Sequence, residues 1–367
     1  MNDDHYQRLT DTLSQLGGAI PVLPGPEFSA LIQELFTLEE AALAAAMPFG
    51  LNPLEAIDAH TGRPAAEIHP ILETMADKGL IYHQKRSDQD LYKLMPVLPG
   101  IFEYQFMKGG YTEKDYKLAR IFKEYFDTVW NNKELINNPI LKKITPFSRV
   151  IPVEKELSGG GQVVHPYEKV SEYIQNATHI SVSTCYCRHH GELLGEPCEK
   201  PKENCLSFGP NAVYAHERGY GRLISKEEAT RLLDEAEAAG LVHMSSNTSK
   251  YIDFICNCCL CHCGIIQSFD NMDMPSIGAV SAFRLKIDEE QCIGCEDCVE
   301  ICPLKALEVQ DELVQVNRKR CIGCGLCNRA CPNEALSMER IADAPSPPLD
   351  NKALTAAILE SIQQATK

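Results

Sequence analysis

Apolar residues recur at helical spacing through much of the first hundred positions, and the period then shortens to two. The pattern predicts helices at 27–36, 38–46, 53–60 and 64–77, separated by short polar or turn-forming stretches. Strands follow near 80–83 and 91–94 with a tip at 86–89, and Gly79 stands where a helix C-cap belongs. Over 101–137 the period is again helical, and Tyr116, Ile121, Phe122, Tyr125, Phe126 and Trp130 form a stripe expected to be buried core and a linker toward the middle of the chain. Ser225 and Glu228 then open a helix as a capping box, Gly240 stops it, and LVHM and YIDFIC read as strands around SSNTSK. The two helix ends are alike: LETMADKGLIYH and LDEAEAAGLVHM each place a leucine seven residues before a glycine and run directly into an apolar strand.

The helices and hairpin of residues 1–100 resemble a winged helix. That resemblance implies a DNA-reading third helix, yet 64–77 offers Glu67, Glu73 and Asp77 against Arg63 and Lys78, so a protein-contact or structural role is expected instead. Gly159 to Gly161 lack the Lys-Ser/Thr continuation of a phosphate loop and read as a flexible turn.

Near its C-terminal end the chain repeats itself. CIGCEDCVEICP and CIGCGLCNRACP share the form CxxCxxCxxxCP at an offset of 29 residues, from Cys292 to Cys321, and the likeness extends to the preceding LKIDEEQ and VQVNRKR. Residues 284–340 resemble the bacterial-type dicluster ferredoxins, with a βαββαβ pseudo-repeat. The resemblance implies one [4Fe-4S] cluster on Cys292, Cys295, Cys298 and Cys331, and a second on Cys321, Cys324, Cys327 and Cys302. Gly294 and Gly323 can take positive φ and turn loop amides toward the clusters. Pro303 and Pro332 suit the first position of a following short helix, and ALEV with LVQVN reads as a hairpin across 310–312. Zinc is the competing reading of such spacing, but it usually takes two paired CxxC knuckles.

Seventeen cysteines would suggest disulfides in a small secreted domain. Here they fall at ligand spacings in a long chain with 44% hydrophobic residues and no basic-then-apolar leader, and the longest apolar stretch, 41–47, is too short to cross a bilayer. A cytoplasmic, reducing and anaerobic setting is expected, without membrane insertion. The net charge of −16 disfavours nucleic acid and suits a redox partner with a basic docking face. Within the ferredoxin-like unit, Asp288, Glu289, Glu290, Glu296, Asp297 and Glu300 crowd the first loop, and Arg318, Lys319, Arg320 and Arg329 the second.

Nine cysteines lie upstream: Cys185, Cys187, Cys198 and Cys205, then Cys256, Cys258, Cys259, Cys261 and Cys263. The combination of CYCRHH with CNCCLCHCG is similar to poorly characterised iron-sulfur proteins of anaerobes. In extended backbone, Cys185 with Cys187, and Cys259, Cys261 and Cys263, can converge on one side, with Cys256 and Cys258 on the other. So dense a set is expected to bind metal, as one or two further [4Fe-4S] or other iron-sulfur clusters, with zinc as the other reading. Arg188, Lys200 and Lys202 would offset cluster charge, and His189, His190 and His262 would act as ligands or as hydrogen-bond donors.

The expected architecture is α+β: a winged-helix-like domain at 1–100, a helical connector and cysteine-rich domain at 101–283, the ferredoxin-like domain at 284–340, and a Pro-rich linker with a tail helix at 341–367. The expected function is a single-electron relay. An oxidoreductase with a site-differentiated cluster in the middle domain is the alternative, and a redox-sensing DNA regulator a third reading.

Overall fold

The computed structural model describes residues 2–157, 163–272 and 278–365; the Gly159–Gly161 turn lies outside these residues. The architecture is α+β, and the chain divides into two units that are discontinuous in sequence. Unit 1 comprises Met1–Leu135, Ser183–Cys198 and Val213–Arg222. Unit 2 comprises Ile136–Val182, Glu199–Ala212 and Leu223–Lys367.

Unit 1 is mainly helical. Asn2–Leu16, which the apolar pattern did not single out, precedes Pro26–Leu35, Leu38–Ala46, Leu54–Thr61 and Ala65–Asp77. Thr37 opens the third of these with a reciprocal capping box to Glu40, leaving neither exposed amide without an acceptor. Ile81–Arg86 and Gln89–Leu94 form the expected hairpin, and Asn52–Pro53 adds a third strand beside it, Asn52 facing Tyr92. The aromatic stripe lies on Glu113–Asn131, within unit 1. Phe122 and Tyr125 are buried, and Phe102 packs edge-on to Phe126 at 4.9 Å and tilted to Phe122 at 5.1 Å between ring centroids. Such closely packed rings are core.

The likeness between the two helix ends has a structural basis. Gly79 and Gly240 both sit at positive φ, and in each case the leucine that follows donates its amide back across the last turn, Leu80 to Met75 O and Leu241 to Ala236 O at 2.9 Å. This is the same helix stop used twice, with glycine supplying a conformation other residues resist. At Gly79 a Cβ would also stand 2.5 Å from Tyr104 Cβ.

Unit 2 is built on a seven-stranded sheet of order Gly278–Ala279, Ser148–Ile151, Val242–Ser246, Phe254–Cys258, Glu203–Phe208, Ile180–Thr184 and Arg222–Leu223. The helix Lys226–Ala238 covers one side through Ala229, Leu232 and Leu233, all in the same buried cluster as Ile151, Leu206 and Ile255. Toward the C-terminus, Phe283–Ile287 pairs antiparallel with Leu336–Arg340, while Leu307–Gln310 and Leu313–Val316 make a hairpin. Asp311 and Glu312 both take positive φ, the geometry that matches a two-residue turn to the twist of its strands. The tail helix Asn351–Ala365 is held through Ser361 Oγ, which accepts from Thr145 N at 3.0 Å.

Candidate metal centres

The duplicated cysteine loops sit between the paired strands of unit 2. Each loop begins with a cysteine amide donating four residues back, Cys292 to Asp288 O and Cys321 to Asn317 O, both at 3.1 Å. Each then enters a short helix, Asp297–Ile301 or Leu326–Ala330, through a residue with left-handed backbone, Glu296 or Gly325. Pro303 and Pro332 follow these helices; they do not open new ones, so their missing amides mark where the helices end.

Gly294 and Gly323 have φ of +64° and +67°. A Cβ on Gly294 would lie 2.7 Å from Glu312 O, and one on Gly323 would strike Phe283 O and Ser281 Oγ. Both loops are therefore pressed against neighbouring backbone, which folds each around a cavity. One cavity is lined by Cys292, Cys295, Cys298 and Cys331. The other is lined by Cys302, Cys321, Cys324 and Cys327. Each set draws three cysteines from one loop and the fourth from the other.

Cys295 is exposed and neighbouring Ile293 is 60% exposed, so the first cavity opens to solvent. Burial pushes the Cys298 thiol up to about 11, with Cys295 and Cys331 adding to the shift. In the second cavity burial pushes Cys324 up to about 12, and burial, with Cys324, also raises Cys327 well above its ordinary value. Thiolates gathered in such surroundings need a cationic centre, so metal loading and thiol deprotonation occur together. Four sulfur donors per cavity fit a [4Fe-4S] group; the second cavity has no carboxylate among its lining residues, while the exposed Glu296 lines the first.

The basic residues of the second loop are largely engaged. Arg318 donates to Leu285 O at 2.5 Å, Arg320 pairs with Asp270, and Arg329 pairs with Glu237 at 2.5 Å. The six acids of the first loop have no cationic counterpart of this kind within the same stretch.

None of the seventeen cysteines is in a disulfide. The nine upstream ones divide between the units: Cys185, Cys187 and Cys198 belong to unit 1, the other six to unit 2. The expected alternation along extended backbone fails for Cys185 and Cys187, because Cys185 is the N-cap of the helix Tyr186–Leu193 and Cys187 lies in its first turn. That helix is anchored in unit 1 by its histidines, with His189 Nε2 2.8 Å from Gly110 O and His190 Nε2 3.0 Å from Ala119 O. Arg188, on the same helix, is wholly buried. Lys200 donates to Ala239 O and so caps the helix Lys226–Ala238 from its C-terminal end.

The alternation also ends early in the second group, since the strand Phe254–Cys258 stops at Cys258 and the chain turns through 259–263. Cys263 is thereby returned to Cys256 and Cys258, not aligned with Cys259 and Cys261. Contacts with Cys256 and Cys263, followed by burial, push the Cys258 thiol well up. Cys205 precedes Leu206, whose strand partner is Ile255, so Cys205 shares a sheet face with Cys256 and Cys258. All four of these thiols are buried. In the turn itself, the donor atoms of Cys259, Cys261 and His262 lie within 4.8 Å of one another. These residues form a candidate Cys/His metal-binding group that includes His262.

Residues 285–338 match a protein family described as a 4Fe-4S dicluster domain. Such a domain is therefore present in the chain, and with the Cys/His group it supports an iron-sulfur redox role. No curated protein matches the sequence. Among the described residues, no helix is long and apolar enough to cross a membrane.

Proposed function

We propose that this protein relays single electrons. Cys292, Cys295, Cys298 and Cys331 hold one [4Fe-4S] cluster, Cys302, Cys321, Cys324 and Cys327 a second, and at least one further centre lies among the nine upstream cysteines. Bound in these cavities, each [4Fe-4S] group supplies a one-electron couple. The observation that carries the reading is the pair of four-cysteine cavities, each completed by a cysteine from the other loop. The protein's own part is to expose an edge of the first cavity at Cys295 and to carry the exposed acids Asp288, Glu289, Glu290, Glu296, Asp297 and Glu300 on the same loop. A basic-faced redox partner fits this edge. For the further centre, Cys205, Cys256, Cys258 and Cys263 are the favoured ligands.

We assign residues 1–100 as a winged-helix-like module with a structural or protein-contact role, 101–283 as the connector and cysteine-rich region, and 284–340 as the ferredoxin-like module. Glu67, Glu73 and Asp77 of the helix Ala65–Asp77 are held by Arg63 and Arg218, so that face presents ion pairs and no basic stripe for phosphates.

Anaerobic iron and sulfide analysis tests the relay. About twelve or more irons per chain are expected from two cubanes plus a further centre, and Cys327→Ser is expected to slow electron transfer to a one-electron acceptor by at least tenfold. Fewer than about eight irons, or an unchanged rate with Cys327→Ser, would count against the reading.

The charge asymmetry makes a separate prediction. Positive neighbours favour adding an electron and negative ones oppose it, so the second cluster is expected to have the higher potential. Neutralising Arg318, Lys319 and Arg320 together is expected to lower that potential in an EPR-monitored redox titration. Burial of Cys324 and Cys327 acts in the opposite direction, so this triple variant isolates the charge contribution. An unchanged potential would show that these charges do not set the order.

A further inference from the structure

A hydrogen-bonded chain runs from the exposed Arg329 of the second cysteine loop through buried side chains toward the strand that carries Cys256 and Cys258. Arg329, between Cys327 and Cys331, binds Glu237 Oε2 at 2.5 Å. Glu237 Oε1 lies 3.2 Å from His243 Nε2, and His243 Nδ1 lies 2.6 Å from Asn257 Oδ1. Asn257 Nδ2 donates to Asn204 O at 2.6 Å. His243 is 2% exposed, Asn257 1% and Glu237 6%.

The proton positions follow from what each group can do. A backbone carbonyl only accepts, so Asn204 O fixes the Asn257 amide with Oδ1 turned toward His243. Oδ1 also only accepts, so His243 Nδ1 carries a proton. An ionised Glu237 faces Nε2 as a second acceptor. The His243–Glu237 contact therefore requires one more proton between them, and without it a lone pair faces a carboxylate in a dry interior. His243 pairs with Asn257 across the strands, so both project from the face opposite Cys256 and Cys258 and stay clear of those thiols.

We propose that the Glu237–His243 pair is a proton-binding site linked to the iron-sulfur centres, taking one proton from solvent when a neighbouring cluster gains one electron and releasing it on oxidation. This rests on the electron-transfer reading. The electron comes from a reduced one-electron carrier, which is oxidised by one; the proton from solvent enters between Nε2 and Oε1, and no covalent bond between heavy atoms is made or broken. Local charge is then unchanged by reduction, which is the advantage of such a site where clusters add negative charge to a poorly solvated interior. From other elements Arg329 binds the pair and Glu156 interacts electrostatically with Glu237; Arg329, Glu334 and Lys155 surround Glu156 in turn. Burial and the Glu237 charge push Glu156 up, while Lys155 is held by Asp234 at 2.6 Å.

The test is an EPR-monitored redox titration of the full-length, cluster-loaded protein at several pH values across roughly pH 5 to 8, where histidine ordinarily titrates. The reduction equilibrium of at least one cluster is expected to fall up to tenfold per pH unit, a shift of about 59 mV for one electron. Glu237→Gln and His243→Gln should flatten that slope with iron content and EPR line shape retained, and Glu156→Gln should keep it. A reversible wild-type couple with no slope overturns the proposal and leaves electron transfer standing. A slope that survives Glu237→Gln and His243→Gln, or that vanishes only in Glu156→Gln, also overturns it. Absence of any reversible cluster couple overturns the electron-transfer reading itself, and this one with it.

Discussion

Gly323→Ala is expected to remove the second ferredoxin cluster and leave the first in place. The new Cβ would strike Phe283 O and Ser281 Oγ, and Phe283 C would be 3.1 Å away. These are not yielding neighbours. Ser281 Oγ donates to Gly323 O at 2.6 Å, Ser281 N donates to Ile322 O at 3.0 Å, and Val153 N donates to Cys324 O at 2.9 Å. The loop can admit a methyl group only by moving away from these partners, which carries Cys321 and Cys324 out of the cavity they line. Iron analysis should show a loss of about four irons per chain. The control is Gly62→Ala, where φ is +68° but nothing lies within 4 Å of the added carbon. It incurs only the backbone penalty of roughly 1 kcal/mol and should keep all its iron. Full iron in Gly323→Ala would mean the loop tolerates displacement and that close approach at this glycine is not what shapes the cavity.

What the chain discloses before folding depends on how local the cause is. The helices at 38–46 and 64–77, the hairpin at 80–94 and the two-residue turn at Asp311-Glu312 rest on period, caps and turn chemistry, and all lie within a few residues of expectation. The cysteine loops were legible because their spacing is itself the geometry. The middle cysteines were not, because alternation holds only while a strand continues, and this one ends at Cys258. One turn in the chain regroups Cys263 with Cys256 and Cys258 and sets His262 beside Cys259 and Cys261. The Arg329–Glu237–His243–Asn257 chain joins residues up to 92 positions apart, and no local pattern marks such a contact in a single sequence.

Arg218→Met is expected to destabilise unit 1 and to change how its stability depends on pH. The Arg218 side chain is 9% exposed, and it binds Glu73 at 3.0 and 3.1 Å, Asp77 at 2.8 Å and His83 Nδ1 at 2.9 Å. Guanidinium only donates, so His83 accepts at Nδ1 and its Nε2 proton points to Asp90, 2.9 Å away. Breaking a fully buried ion pair costs roughly 3–5 kcal/mol. Here Glu73 and Asp77 are 37% and 64% exposed and regain water, so about 2 kcal/mol is expected in chemical denaturation, discounted for that screening. Burial raises the Glu73 carboxyl, but hydrogen bonds from Arg218 and Tyr92 outweigh it and hold the group below its ordinary 4.5. A depressed carboxyl contributes stability that is present above the ordinary value and lost as pH falls through the folded one. Wild type should therefore lose more stability than Arg218→Met between about pH 5 and 3, and the two denaturation curves should converge on acidification. Parallel curves would place the cost of Arg218→Met in lost packing of the guanidinium against its neighbours, independent of the charge on Glu73.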